Sequence, residues 1–141
     1  EMDEEFLEVN DIDWFAVGAD GYVCHFATGG RGIVPRQVAS SIESWQLACD
    51  YIYSLPVCSG VIVVEESLPD FSGLAQREAY LGSFLEMASR GIFSHDVVGG
   101  GYRLIAKPEL ALREGDLPER IRNHIPKIAI GSDDDLLHLM R

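Results

Sequence analysis

Residues 12–17 and 22–28 are two short runs rich in aromatic and β-branched side chains, and Gly18-Ala19-Asp20-Gly21 lies between them. Aspartate and glycine tolerate the positive φ of tight turns, so this pattern predicts a β-hairpin. Side chains along a strand alternate between its two faces. Trp14, Ala16, Tyr22, Cys24 and Phe26 fall at alternate positions, so each strand presents one consistent face.

The rest of the chain reads as helices and further short strands. Gly29-Gly30-Arg31-Gly32 interrupts the second strand, and Pro35 suits the first turn of a helix. From there to about residue 54, Val38, Ile42, Trp45, Ala48, Cys49 and Ile52 recur every three or four positions, which predicts one long amphipathic helix closed by Leu55-Pro56. Residues 57–64 read as a short buried strand or an irregular edge. A loop over 68–73 leads into a second long helix over 74–90, with Leu81, Phe84, Leu85 and Ala88 on one side and Gly91 as its C-cap. Residues 92–98 and 102–107 form a second predicted hairpin about Gly99-Gly100-Gly101. Asp116, with Glu119 three residues on, reads as the N-cap of a short helix running toward His124. Residues 128–130 read as a last short strand, followed by Asp133-Asp134-Asp135 and an apolar turn over 136–140.

This order predicts an α+β fold. An antiparallel or mixed sheet of four to six strands, built from two hairpins, is covered by the two longer amphipathic helices. No repeat or composition shift divides residues 1–141, so they read as a single globular domain, with an acidic segment over 1–10 whose order the sequence leaves open.

Charge narrows the function classes. The chain carries 11 Lys and Arg against 23 Asp and Glu, a formal net charge of −12. Such a surface repels nucleic acid and anionic membranes, so neither is an expected partner. No apolar run approaches the roughly 18 residues of a membrane helix. The acidic start (Glu1, Asp3, Glu4, Glu5) differs from the basic start of a secretory signal, and the expected location is the cytoplasm. Cys24, Cys49 and Cys58 lie among apolar neighbours with no C-x-x-C spacing, and read as buried free thiols.

Catalytic patterns are sparse. His25, His95, His124 and His138 show no metal-binding spacing, so neither a metal nor another cofactor is expected. His95-Asp96 and Cys24-His25 are neighbours on strands, which turns each pair to opposite faces. No G-x-S-x-G elbow is present, and Cys58 has no local histidine. Glu65-Glu66 reads as a solvated charge pair. Gly29, Gly30, Arg31 and Gly32 admit two readings: a loop that needs positive φ and close packing, or an anion-binding nest supplemented by Arg31. Gly99-Gly100-Gly101 reads as a flexible turn.

The negative charge is unevenly placed. Through residue 30 the chain has eight acids, among them Glu4, Glu5, Asp11, Asp13 and Asp20, and no Lys or Arg. A surface including these five would attract a cationic protein and speed its association.

Asp13-Trp14-Phe15-Ala16-Val17, Asp20-Gly21 and His25-Phe26-Ala27-Thr28-Gly29-Gly30 resemble the opening of small bacterial proteins similar to the immunity proteins of polymorphic-toxin systems. Tyr102-Arg103-Leu104-Ile105-Ala106-Lys107-Pro108 and Asp116-Leu117-Pro118 extend the resemblance to about half the chain. It implies a cytoplasmic, non-enzymatic inhibitor that neutralises a toxin by binding it, with a basic nuclease suiting the acidic surface. The alternative expectation is a small-molecule or anion-binding domain that uses Gly29–Gly32 with Arg31.

Overall fold

Five strands pair edge to edge in the order β1-β2-β4-β5-β3 in the structure, a computed structural model that describes residues 1–136. β1 (Asp13–Val17) and β2 (Val23–Ala27) form the expected antiparallel hairpin, with Gly21 at φ 84° in its turn. β4 (Phe93–Val98) and β5 (Gly101–Pro108) form the second. β2 and β4 run parallel, with His25 opposite Ser94 and Ala27 opposite Asp96. β3 (Val61–Val63) pairs antiparallel with β5 and forms one edge. The fold is therefore α+β with a mixed sheet.

Alternation along β1 and β2 divides the core in two. Trp14, Ala16, Cys24 and Phe26 face one cluster, which holds Val34, Val97, Tyr102 and Leu104. Phe15, Val17 and Val23 face the other, beneath the long helices. Between Ser94 and His95 the pairing slips, so that Ser94 faces Ala106 while His95 faces Leu104. Ile105 is the extra residue of this bulge, and both Ile105 and Ala106 pack beneath α4 (Leu74–Ser89).

The helix expected over 35–54 is two helices. α2 (Arg36–Ala39) ends at Ser40, and α3 (Ile42–Tyr53) starts afresh. Ser41 is extended (φ −148°), and its hydroxyl accepts the Ser44 N–H at 3.1 Å as an N-cap. The reason lies in the packing. Val38 and Ala39 join the cluster on one face of the sheet, whereas Ala48, Cys49 and Ile52 join the cluster on the other. A straight helix could not serve both faces. α3 and α4 cover the same face, as expected.

α1 (Glu4–Val9) occupies the acidic start, capped by the Asp3 carboxylate, which accepts the Phe6 N–H at 2.8 Å. Met2 is buried, and Phe6 meets Trp45 edge to face at 6.1 Å. Asp116 does not cap the last helix; its carboxylate accepts the Arg113 N–H at 2.9 Å across a 3₁₀ turn over Glu114–Asp116. Pro118 is the N-cap of α5 (Glu119–Arg122), a place where its missing N–H leaves no helical hydrogen bond unmade. Residues 128–130 form no strand. Their segment runs beside the end of β1, where the Val17 N–H donates to Pro126 O and the Ile128 N–H donates to Val17 O. Of the apolar turn expected over 136–140, only Leu136 is among the described residues; it exchanges backbone hydrogen bonds with Tyr102. His138 lies outside them. No helix among the described residues is long and apolar enough to cross a membrane.

Candidate functional site

The five acids singled out in the sequence do not share one patch. Glu4 and Glu5 are exposed in the first turn of α1, and Asp11 is exposed just before β1. Asp13 is half-buried under α3: its carbonyl accepts the Trp45 indole N–H at 2.7 Å, and its carboxylate accepts the Tyr53 hydroxyl at 3.2 Å. Asp20 sits in the hairpin turn, at the opposite end of β1.

Asp20 draws the C-terminal loop onto that end. Its carboxylate accepts the Ser132 N–H at 3.1 Å and the Ser132 hydroxyl at 2.7 Å, and Ser132 is fully buried. Asp135 adds an anchor by accepting the Leu104 N–H at 2.8 Å. These contacts bring Asp133, Asp134 and Asp135 beside the β5 end of the sheet. A groove of about 480 Å³ opens there, with Tyr22, Ile62, Phe93 and Pro108 on its walls and Asp20, Glu109 and Asp133 on its rim. A neighbouring depression carries Glu66 and Asp133 to Asp135. Among the described residues Lys107 is the one cation lining either, and Asp133 pairs with it at 3.4 Å. Asp20, Glu66, Glu109 and Asp133 to Asp135 thus gather on one surface, with the half-buried Tyr22 and the exposed Ile62 among them.

Because the Asp20 carboxylate holds a buried serine, Asp20→Ala should cost about 1–2 kcal/mol, the loss of charge-assisted hydrogen bonds to a buried partner. Hydrogen exchange at the Ser132 amide should accelerate correspondingly. Unchanged protection at that amide would show that the loop is held by other contacts.

Gly29 and Gly30 adopt positive φ (59° and 75°), and a Cβ on Gly32 would strike the Tyr102 hydroxyl. The loop's amides turn inward. Arg31 and Gly32 donate their N–H groups to Thr28 O, and the Gly30 N–H reaches Thr28 Oγ1 at 3.3 Å. Those three donors are engaged within the loop, which is what close packing and tight turning require. The Arg31 side chain is exposed.

One grouping was not legible beforehand. His25 Nδ1 shares a 2.7 Å hydrogen bond with Ser94 Oγ, and Nε2 approaches Asp13 Oδ2 to 3.0 Å, too bent for a hydrogen bond. Serine, histidine and aspartate are the members of a hydrolytic triad. Here Ser94 and His25 are both completely buried between the sheet and α3, so no substrate carbonyl reaches the hydroxyl. The grouping ties β1, β2 and β4 together. Asp13 and His25 lie diagonally on one face of the hairpin, a hint available in the sequence, but Ser94 arrives through the parallel pairing of distant segments. Ser44 and His124 form a second pair at 2.8 Å, with no carboxylate bonded to it among the described residues, and it joins α3 to the turn after α5.

His95 is buried on the opposite face from Asp96, and burial pushes its pKa down to about 4, so the ring is neutral. Cys24 and Cys49 are buried, and burial raises both thiols to about 12, with Asp20 adding to the rise at Cys24 and Asp13 at Cys49. Neither is a nucleophile at neutral pH. Cys58, expected to be buried, is exposed, because the strand predicted over 57–64 forms only at Val61–Val63. Among the described residues no three His, Cys, Asp or Glu side chains are grouped to hold a metal ion.

Compared with protein-family models, with curated proteins and with solved structures, the chain matches none. The class it belongs to is therefore defined by its own architecture: a mixed five-stranded α+β domain with an acidic, partly apolar groove beside the β5–β3 edge.

Proposed function

We propose that this chain is a non-enzymatic protein-binding module, an immunity-type inhibitor that holds a basic toxin or other cationic protein against its acidic face. The observation that carries this reading is the meeting of Asp20, Glu109 and the Asp133–Asp135 run around a groove walled by Tyr22, Phe93, Ile62 and Pro108. Carboxylates on the rim draw a cationic partner in from a distance, and aromatic walls give short-range burial once it arrives. Ile62, 44% exposed on an edge strand, offers further apolar surface.

Asp20 and Asp135 are poor positions for a charge test, since each accepts structural hydrogen bonds. Glu66, Glu109 and Asp134 are exposed, and their carboxylates make no ion pair or hydrogen bond among the described residues. The triple variant Glu66→Lys, Glu109→Lys, Asp134→Lys should therefore fold normally. With the cationic partner recovered from the native cell, its association rate should fall by about tenfold or more at low salt, and the salt dependence should flatten. An association rate equal to that of the unaltered protein would overturn the reading.

A further inference from the structure

We propose that a second site, the cleft between Arg31 and Arg103, binds a small organic oxyanion, a phosphate or carboxylate carrying an apolar body. It differs in chemistry from the acidic depression, with which it shares only Ser67 among the residues lining each. It lies at the carboxyl ends of the parallel pair β2 and β4, where the chain leaves Ala27 for the glycine loop and leaves Val98 for the turn into β5. Crevices outside the carboxyl ends of parallel strands are recurrent ligand sites, because the connections there diverge and leave space between them.

The cleft encloses about 330 Å³, at the small end of the range for ligand pockets. Arg31 enters from the glycine loop and Arg103 from β5. Leu68, Pro69, Val97, Val98 and Ile105 supply apolar walls, and Tyr80 of α4 closes one side. In a chain of net charge −12, this is a cavity whose lining cations outnumber its acids, two arginines against Asp96.

The state of those arginines carries the inference. Arg77, Arg90, Lys107 and Lys127 are ion-paired, Arg113 and Arg120 lie over tyrosine rings, Arg122 donates to Leu117 O, and Arg36 is exposed on α2. Among the described residues neither the Arg31 nor the Arg103 guanidinium makes an ion pair or hydrogen bond, although Arg103 is half-buried. Asp96 stands directly across from Arg103 on β4 yet is engaged elsewhere. Its Oδ2 accepts the Tyr80 hydroxyl at 2.7 Å, and its Oδ1 accepts the Val97 N–H at 2.9 Å. Burial and the bond to Asp96 push the Tyr80 phenol well above its usual range, so it stays a donor to Asp96. The two guanidinium forks are left with donors facing a half-apolar cleft, and an oxyanion is the group that matches them bidentately.

The test uses the full chain and phenyl phosphate, benzoate and inorganic phosphate as probes, followed by amide NMR. Phenyl phosphate or benzoate should produce saturable shifts centred on residues 67–69, 96–98 and 103, with the preferred one separating a phosphate site from a carboxylate site. Inorganic phosphate should bind roughly tenfold more weakly than phenyl phosphate, for lack of a body to bury. Arg103→Met and Arg31→Met should each weaken the preferred probe at least tenfold, and Arg31, exposed on a loop, can be replaced without threatening the fold. Asp96→Asn should tighten it severalfold by removing the competing carboxylate, a gain that a merely structural role would not produce. Absence of saturable shifts with all three probes, shifts mapping to another surface, or wild-type affinity in Arg31→Met would each overturn the proposal.

Discussion

Trp14→Ala should remove about 3–5 kcal/mol of stability, the range for deleting a large buried aromatic side chain. Total stabilities of domains this size are about 5–15 kcal/mol, so the variant would stand near the edge of unfolding. Trp14 is fully buried at the centre of its cluster. Its ring stacks on Phe26 at 4.1 Å and 16°, and Phe26 stacks in turn on His95 at 4.6 Å. Tyr102 meets Trp14 edge on at 5.6 Å and 81°. The indole N–H donates to the Tyr102 hydroxyl at 3.1 Å, and that hydroxyl donates onward to Ile33 O at 2.9 Å. Truncation therefore opens a cavity beside the Phe26 and Tyr102 rings and deprives the Tyr102 oxygen of its donor. Trp14→Phe keeps most of the apolar volume and should cost less than half as much. Urea unfolding monitored at constant slope resolves the two; a loss under about 1 kcal/mol for Trp14→Ala would mean that the surrounding rings collapse into the space.

What the sequence disclosed follows from what is local in it. The Asp20-Gly21 hairpin and the helix over Leu74–Ser89 with its Gly91 cap (φ 94°) are determined by neighbours a few residues apart, and both form as expected. Apolar spacing across residues 35–54 was equally regular, but periodicity reports which residues are buried and not on which side of the sheet. Val38 and Ile52 belong to opposite faces, and Ser41 is the only local sign of the break between them. The parallel pairing of β2 with β4 was hidden for a different reason. It joins residues separated by almost seventy positions, and nothing near either strand marks its partner.

Function was less legible than fold for the same reason. Asp133-Asp134-Asp135 is conspicuous as a run, and Asp20 as a turn residue, but their convergence depends on a buried serine at 132. Arg31 drew attention as the cation beside three glycines. Its structural setting is a cleft that Arg103 also lines, and Arg103 comes from β5, seventy-two positions further along the chain, so the two are brought together only by the fold.

Acidification should destabilise the fold by about 2 kcal/mol between pH 7 and pH 5 through His95 alone. The ring is sealed against the sheet, with Nδ1 at 3.1 Å from His25 O and Nε2 at 3.1 Å from Asp134 O. A neutral ring donates to one of these carbonyls at a time, and a charged ring could satisfy both. Burial outweighs that gain and holds the pKa at about 4, against about 6.5 for a histidine in water. Between those two values the unfolded chain binds a proton that the folded one refuses, so stability rises with pH there and falls on acidification. The contribution is present above pH 6.5 and is lost as the pH approaches 4, with a full difference of roughly 3 kcal/mol. His95→Gln retains a donor for one carbonyl and removes the titration. The variant should be less stable at pH 7, yet its stability should fall less steeply between pH 7 and pH 5 than that of the unaltered protein. Comparing the two slopes by denaturant unfolding isolates His95 from the other histidines and from the carboxylates. Equal slopes would mean that the folded ring takes up its proton as readily as the unfolded one, with the two carbonyls compensating fully for its burial.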